Sequence, residues 1–190
     1  MINSVFMRSW MLLLILLVSA IAKAAPAIWQ IVPSESSITF TATQNNAPVS
    51  GQFKTFNGEI VFDPAQLDAS HIKIIVDVNS VSASYQQVAD TLKTSSWFDV
   101  KDFPQAVYTA NHFIKIGNNH FQAEGALSMH NMSVPTTLDF TLEKYTNHEA
   151  LAKGSVTLKR TQFAIGNGEW AKTDSVKDDV VVDFVLSAKS

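Results

Sequence analysis

Five histidines, His71, His112, His120, His130 and His148, are the side chains best suited to acid–base or metal chemistry in this sequence. None stands in H-x-H or H-E-x-x-H spacing, so no single strand or helix offers a metal a pair, and surface or turn roles are expected. His130 stands at a strand end just before Asn131, where a turn hydrogen bond is its expected role. With Asp90 or Glu169 it would make an acid–base pair if the fold brought them together. Otherwise Asp90 and Asp99, flanking a short helical stretch, read as helix or turn carboxylates. Asp174, Asp178 and Asp179, near Lys172 and Lys177, read as a solvated loop. No G-x-S-x-G elbow is present, and Gly154-Ser155 falls inside an alternating run. Gly166-Asn167-Gly168-Glu169-Trp170-Ala171 has the glycines of a dinucleotide loop but lacks the following helix and acid, so it reads as a turn. Asn131-Met132-Ser133 fits a glycosylation acceptor. No cofactor, metal or catalytic residue is assigned.

The chain that must position these residues has 190 of them, 46% apolar and 16% charged, with no cysteine and a formal net charge of −3. Low charge and ample apolar content exclude a disordered chain. The acidic sign argues against a nucleic-acid partner, which would ask for a basic stripe. Without cysteine there is no disulfide framework, zinc knuckle, thiol nucleophile or lipoprotein acylation site. Residues 1–24 have the three parts of a secretory signal. Arg8 lies in a short polar start, Trp10 to Ala22 is apolar except Ser19, and Ala22-Lys23-Ala24 supplies the small residues of a cleavage site. The apolar run is short for a bilayer span. Its removal takes away Arg8 and Lys23 and leaves residues 25–190 as one exported, periplasmic domain, more acidic than the whole chain.

That domain alternates with period two almost from end to end. The runs are Ser36 to Thr43, Val49 to Phe62, Ile72 to Val78, Ala106 to Ile116, Phe121 to Met129, Val134 to Leu142, Ala152 to Leu158 and Val180 to Leu186. Turn signals stand at Asn57-Gly58, Asp63-Pro64, Gly117-Asn118-Asn119, His130-Asn131 and Gly166-Asn167-Gly168. Short strands with such turns predict an all-β antiparallel sandwich or barrel, and no helical segment is long enough for a βαβ unit. One helix is expected over residues 84–94, from Tyr85, Val88 and Leu92, capped by Ser82 or Ser84 and packed over an edge or open end.

Aromatic residues stand out: 12 Phe, 4 Trp and 3 Tyr. Phe40, Phe53, Phe62, Phe113, Phe121, Phe140, Phe163 and Phe184 fall at candidate inward positions. Rigid rings of this kind can fill a core or line an apolar tunnel, and composition alone favours the filled core.

Particular segments resemble a known family. They are Trp29-Gln30-Ile31-Val32-Pro33, Ser37-Ile38-Thr39-Phe40, Val49 to Gly58, Phe62-Asp63-Pro64, Ala89 to Lys93, Trp97-Phe98-Asp99 and Phe103-Pro104. Later come Gly125 to His130, Lys159 to Gly166 and Gly168-Glu169-Trp170. In this order and spacing the mature chain is similar to the YceI-like lipid-binding family from about Ile28 to Ala188. The resemblance implies an extended eight-stranded antiparallel lipocalin-like barrel with one capping helix. It also implies a tunnel for a long amphiphile: a polyisoprenoid, an isoprenoid quinone or a fatty amide. On that basis Phe40, Phe53, Trp97, Phe98, Phe113, Phe140 and Phe163 are the candidate ligand contacts. The chain has Gln44-Asn45 where many members carry His, and Ala89 where many carry Arg, which favours a neutral headgroup over a pyrophosphate. The leading expectation is a non-catalytic periplasmic lipid carrier. The alternatives are an enzyme acting on an isoprenoid lipid through His130 with Asp90 or Glu169, and an accessory partner of a b-type membrane cytochrome. A second copy of the chain is a further candidate partner.

Overall fold

The computed structural model describes residues 26–190, and the expected export segment, 1–24, lies outside them. The strands are β1 (Ile28–Ile31), β2 (Ser37–Gln44), β3 (Ala47–Phe53), β4 (Phe56–Val61), β5 (His71–Asp77), β6 (Val81–Ala83), β7 (Gln105–Lys115), β8 (His120–Met129), β9 (Met132–Tyr145), β10 (Glu149–Lys159) and β11 (Asp179–Lys189). One helix, α1 (Gln86–Leu92), lies between β6 and β7. Every pairing is antiparallel, and β1 pairs with β11 to close the sheet on itself. Six of the eleven strands are halves of three interrupted ones. Both β1 and β2 lie beside β11, with β4 and β3 on their other side and then β5 and β6. Counted as three, they make an eight-strand up-and-down ring with β7 to β11.

The interruptions are built by the backbone's need for partners. Pro33 lacks an N–H and starts a single 3-10 turn, Pro33–Glu35. The Ser36 hydroxyl then bonds Val32 O at 2.8 Å and accepts from Ser187 N at 2.9 Å, stitching the break to β11. Across the wall, Ser80 Oγ accepts from Lys54 N at 3.1 Å and Thr55 N at 3.0 Å, so one hydroxyl serves the second and third breaks together.

The two ends of the barrel consequently differ. At the narrow end, β1 closes on β11, and the β9–β10 and β7–β8 ladders run on past single register shifts at Leu151/Ala152 and Ala110/His112. At the wide end the β5–β7 ladder stops at Asp77 and Gln105, and the β9–β10 ladder stops at Asp139 and Ser155. Two long connections, residues 84–104 and 160–178, cover that end. The first carries α1, packed against β6.

The structure therefore selects the closed barrel over the sandwich. It also corrects local readings. Asn57-Gly58 is not a turn but lies inside β4, paired with Ile75 and Ile74; the break falls at Lys54-Thr55 instead. The helix is shorter than residues 84–94 and starts after Tyr85 with no side-chain cap. Ser84 does not cap it: it precedes the N-cap residue Tyr85, and its hydroxyl is turned to the sheet edge, donating to Ser50 O at 3.5 Å. Asn45-Asn46, with φ of 48° and 63°, makes the β2–β3 turn that the sequence reading passed over. His130-Asn131 repeats that geometry between β8 and β9 as expected. Among the described residues no helix is long and apolar enough to cross a membrane.

Candidate functional site

Alternation along each strand sends one face inward, and the inward faces meet around a cavity of about 270 Å³. From β5 come Ile72, Ile74 and Val76; from β11, Val182, Phe184, Leu186 and Ala188; from β10, Ala150, Ala152, Val156 and Leu158. Space for the cavity is left partly by glycine. A Cβ on Gly51 would fall 2.4 Å from the Phe40 ring, and one on Gly154 would fall 2.3 Å from the Phe184 ring. Each ring lies flat across the glycine paired with it on the next strand, Phe40 with Gly51 and Phe184 with Gly154, and so hugs the wall.

All seven aromatic positions put forward from the sequence border this cavity. Phe40, Phe53 and Phe98 form a row, with centroid distances of 5.7 and 5.9 Å, along the flared side. Phe113 and Phe140 belong to the narrow end, where Phe62 touches both at 5.4 and 5.7 Å and meets Phe121 edge-on at 5.5 Å. Phe121, 1% exposed, shares the inward face of β8 with Ala123 and packs among these rings at that end without bordering the cavity. Trp97 and Phe163 belong to a second cluster at the wide end, with Ile165 and Val176.

Few polar groups reach this interior, and nearly all are already engaged. The Tyr108 hydroxyl donates to Ala123 O at 2.7 Å, and burial pushes its pKa well above the phenol range, so it stays neutral. Thr136 Oγ1 donates to Val134 O at 3.0 Å. Trp29 donates from Nε1 to Phe62 O at 2.9 Å.

Arg160 is the residue that sequence reasoning missed. Only 3% exposed, it touches no carboxylate; its guanidinium donates to the carbonyls of Ile165, Gly166, Trp170, Lys172, Val176 and Lys177 at 2.8–3.2 Å. Gly166 (φ 73°) is required here, because a Cβ would fall 2.4 Å from Arg160 Nη1. The charged loop keeps Lys172, Asp174, Lys177 and Asp179 exposed, as expected, while its main chain wraps around a buried cation. Asp178 stands near that cation. Burial opposes its ionisation, but the Thr161 N–H and hydroxyl at 3.0 and 2.8 Å, with Lys159 and Arg160 nearby, hold its pKa below the ordinary carboxylate value. The Arg160 guanidinium also lies 5.8 Å over the Trp97 ring.

The acid–base group considered from the sequence is not assembled. His130, Asp90 and Glu169 do not border the cavity, and no hydrogen bond or ion pair joins them among the described residues. His130 packs its ring 4.5 Å from Phe103, while Asp90 accepts from Gln86 within α1. No group of three or more metal-ligating side chains exists among the described residues. His112 pairs with Glu124 at 2.8 Å and His71 with Glu59 at 3.7 Å, both on the exposed surface.

With this geometry, the YceI-like domain family matches residues 29–188, almost every described residue. The chain belongs to that family. Among solved YceI-like relatives, BcnA of Burkholderia cenocepacia superposes with a TM-score of 0.79 and 27% identity, covering 83% of this chain and 98% of BcnA. The Campylobacter jejuni YceI protein gives 0.65 and 22%, covering 74% and 84%. A polyisoprenoid binding domain from Saccharophagus degradans gives 0.68 at 13% identity, covering 87% and 99%; at that identity the likeness is one of fold. A UPF0312 protein of Vibrio cholerae is 23% identical over 119 residues, 62% of this chain and 63% of the relative, so this chain spans less than two thirds of that relative's length.

Proposed function

We propose that this YceI-like chain is an exported, periplasmic protein that binds a long-chain amphiphilic lipid and performs no catalysis on it. The observation that carries this reading is the interior itself: a cavity of about 270 Å³ walled by aliphatic and aromatic side chains from one end of the barrel to the other. Each methylene moved from water into such a wall contributes about 0.8 kcal/mol, so a chain of about ten offsets the cost of ordering it. Selectivity for chain length is modest, since an apolar wall discriminates one methylene weakly. The seven aromatic residues act as walls rather than reactants. The ligand class is a polyisoprenoid, an isoprenoid quinone or a fatty amide. The Saccharophagus domain of the same fold, named for polyisoprenoid binding, supports the first of these.

The test is native purification followed by organic extraction and mass spectrometry. A co-purified long-chain lipid in near-stoichiometric amount is the expected result. An empty protein that also fails to take up any long-chain probe overturns the reading.

A further inference from the structure

Of the polar side chains bordering the tunnel, Trp97 stands apart. Its indole is 8% exposed, and Nε1 is shut off from solvent with no acceptor in reach. A buried donor left without a partner has lost its hydrogen bond to water and gained none in the protein, which is destabilising. Whatever brings an acceptor to it recovers that cost, and this structure contains such a donor beside an apolar tunnel. His130 Nε2 is likewise unpartnered but does not border the tunnel.

The neighbouring cation narrows what the acceptor can be. An arginine has five N–H donors, and those of Arg160 are held by six main-chain carbonyls. None is left to grip a phosphate or carboxylate, and freeing one strands a buried carbonyl. A charged headgroup therefore finds a positive field without a donor. A neutral oxygen finds one matched donor, the Trp97 N–H, reached by a tilt of the indole toward the tunnel. Placing the head there sends the hydrocarbon toward Phe62 and Phe140 at the narrow end, where Trp29 and Tyr108 have already engaged their own donors.

We propose that Trp97 Nε1 is a single-donor anchor that selects lipids whose head is neutral and carries an acceptor oxygen, such as a ketone, quinone, amide or alcohol, and fixes that head at the wide end. The proposal rests on the lipid-binding reading and adds the orientation and the headgroup class.

The experiment uses the delipidated protein and three probes of one chain length, hexadecanamide, hexadecane and hexadecyl phosphate, each displacing a polarity-sensitive dye. Wild type is expected to bind the amide about tenfold more tightly than the other two, the factor that one satisfied donor of about 1.4 kcal/mol supplies. Trp97→Phe, which keeps a ring but removes the N–H, is expected to lose that preference, its amide-to-hexadecane affinity ratio falling to about one whatever the change in wall packing does to both probes alike. With indole ¹⁵N labelling, the Trp97 Nε1–H proton should shift downfield on adding hexadecanamide, as a newly hydrogen-bonded donor does, and show no such downfield shift on adding hexadecane. The same preference in Trp97→Phe, a tighter phosphate, or no downfield shift with the amide overturns the anchor while leaving lipid binding intact. If no probe displaces the dye from wild type, lipid binding itself falls, and the anchor with it.

Discussion

Each end of the barrel buries a tryptophan, and the two are treated differently. At the narrow end Trp29 is 1% exposed and its N–H reaches Phe62 O at 2.9 Å, inside a regular ladder closed by β1 on β11. At the wide end Trp97 is equally enclosed in practice, yet its N–H has no acceptor. The buried members of its cluster, Phe163, Ile165 and Val176, come from the connection held by a buried arginine, with strand residues such as Leu127 and Leu158 packed around them. The narrow end is complete within itself. Polar completeness at the wide end waits on something from outside, which suits a mouth where a ligand's polar head comes to rest.

The strongest way to break this comparison is to remove the organiser of the wide end. Arg160→Lys replaces five fixed donors by three, stranding carbonyls around a cation, and should cost about 3 kcal/mol. Hydrogen exchange should speed up across residues 160–178 while β1, β4 and β11 stay protected; uniform loss of protection would show that the ends are not separable. Next in size is a matched pair. Trp29→Phe leaves the buried Phe62 carbonyl only the longer bond from the Tyr145 hydroxyl at 3.4 Å and should cost about 2 kcal/mol, whereas Trp97→Phe removes an unpartnered donor. Chemical denaturation should therefore find Trp97→Phe less damaging by about 1 kcal/mol or more. Equal costs would erase the distinction.

A third test concerns the cavity between the ends. Gly154→Ala places a methyl where the Phe184 ring lies, and overpacking of this kind costs about 1–3 kcal/mol. The methyl also meets Asp139 O at 2.2 Å, so the β9–β10 seam and the ring must both yield; a ring shifted into the tunnel should make long-chain probes bind more weakly to this variant. Unchanged probe binding would show that the ring yields elsewhere. The smallest effect is on pH. Asp178 has its pKa lowered on folding, so its contribution is present above the unfolded value and is lost as pH falls through the folded one. Acidification below about pH 4 should loosen residues 160–178 before the narrow end, and Asp178→Asn should remove that early step in a pH-resolved exchange experiment.

How legible these features were in the sequence depended on whether their cause was local. Period-two alternation marked most of the inward face, since side chains in a strand can only alternate. Hence Ile72, Ile74 and Val76 were legible together, and so were Phe40, Phe53, Phe113 and Phe140; Trp97 and Phe98 lie outside the strands and were marked only by the family resemblance. The His130-Asn131 turn was legible because left-handed backbone favours few residue types. Asn57-Gly58 misled for the same reason: a dipeptide suited to a turn also fits a strand where Gly58 must pass close to Lys73 O, 2.6 Å from where its Cβ would lie. Arg160 carried no local mark. Its six acceptors come from residues 165–177, and a charged residue ending an alternating run reads as surface.

By itself the sequence determined an antiparallel all-β domain, one short helix and a surplus of inward aromatic rings, because pattern and turn chemistry act over a few residues. Whether those rings filled a core or enclosed a tunnel was decided only by closure of the sheet, by glycines lying opposite phenylalanines on neighbouring strands, and by serines stitching three broken strands. The contrast between a finished end and an unfinished one arises the same way. A donor is satisfied or stranded by what lies across space from it, and for Trp29 and Trp97 that depends on main-chain atoms distant in the sequence.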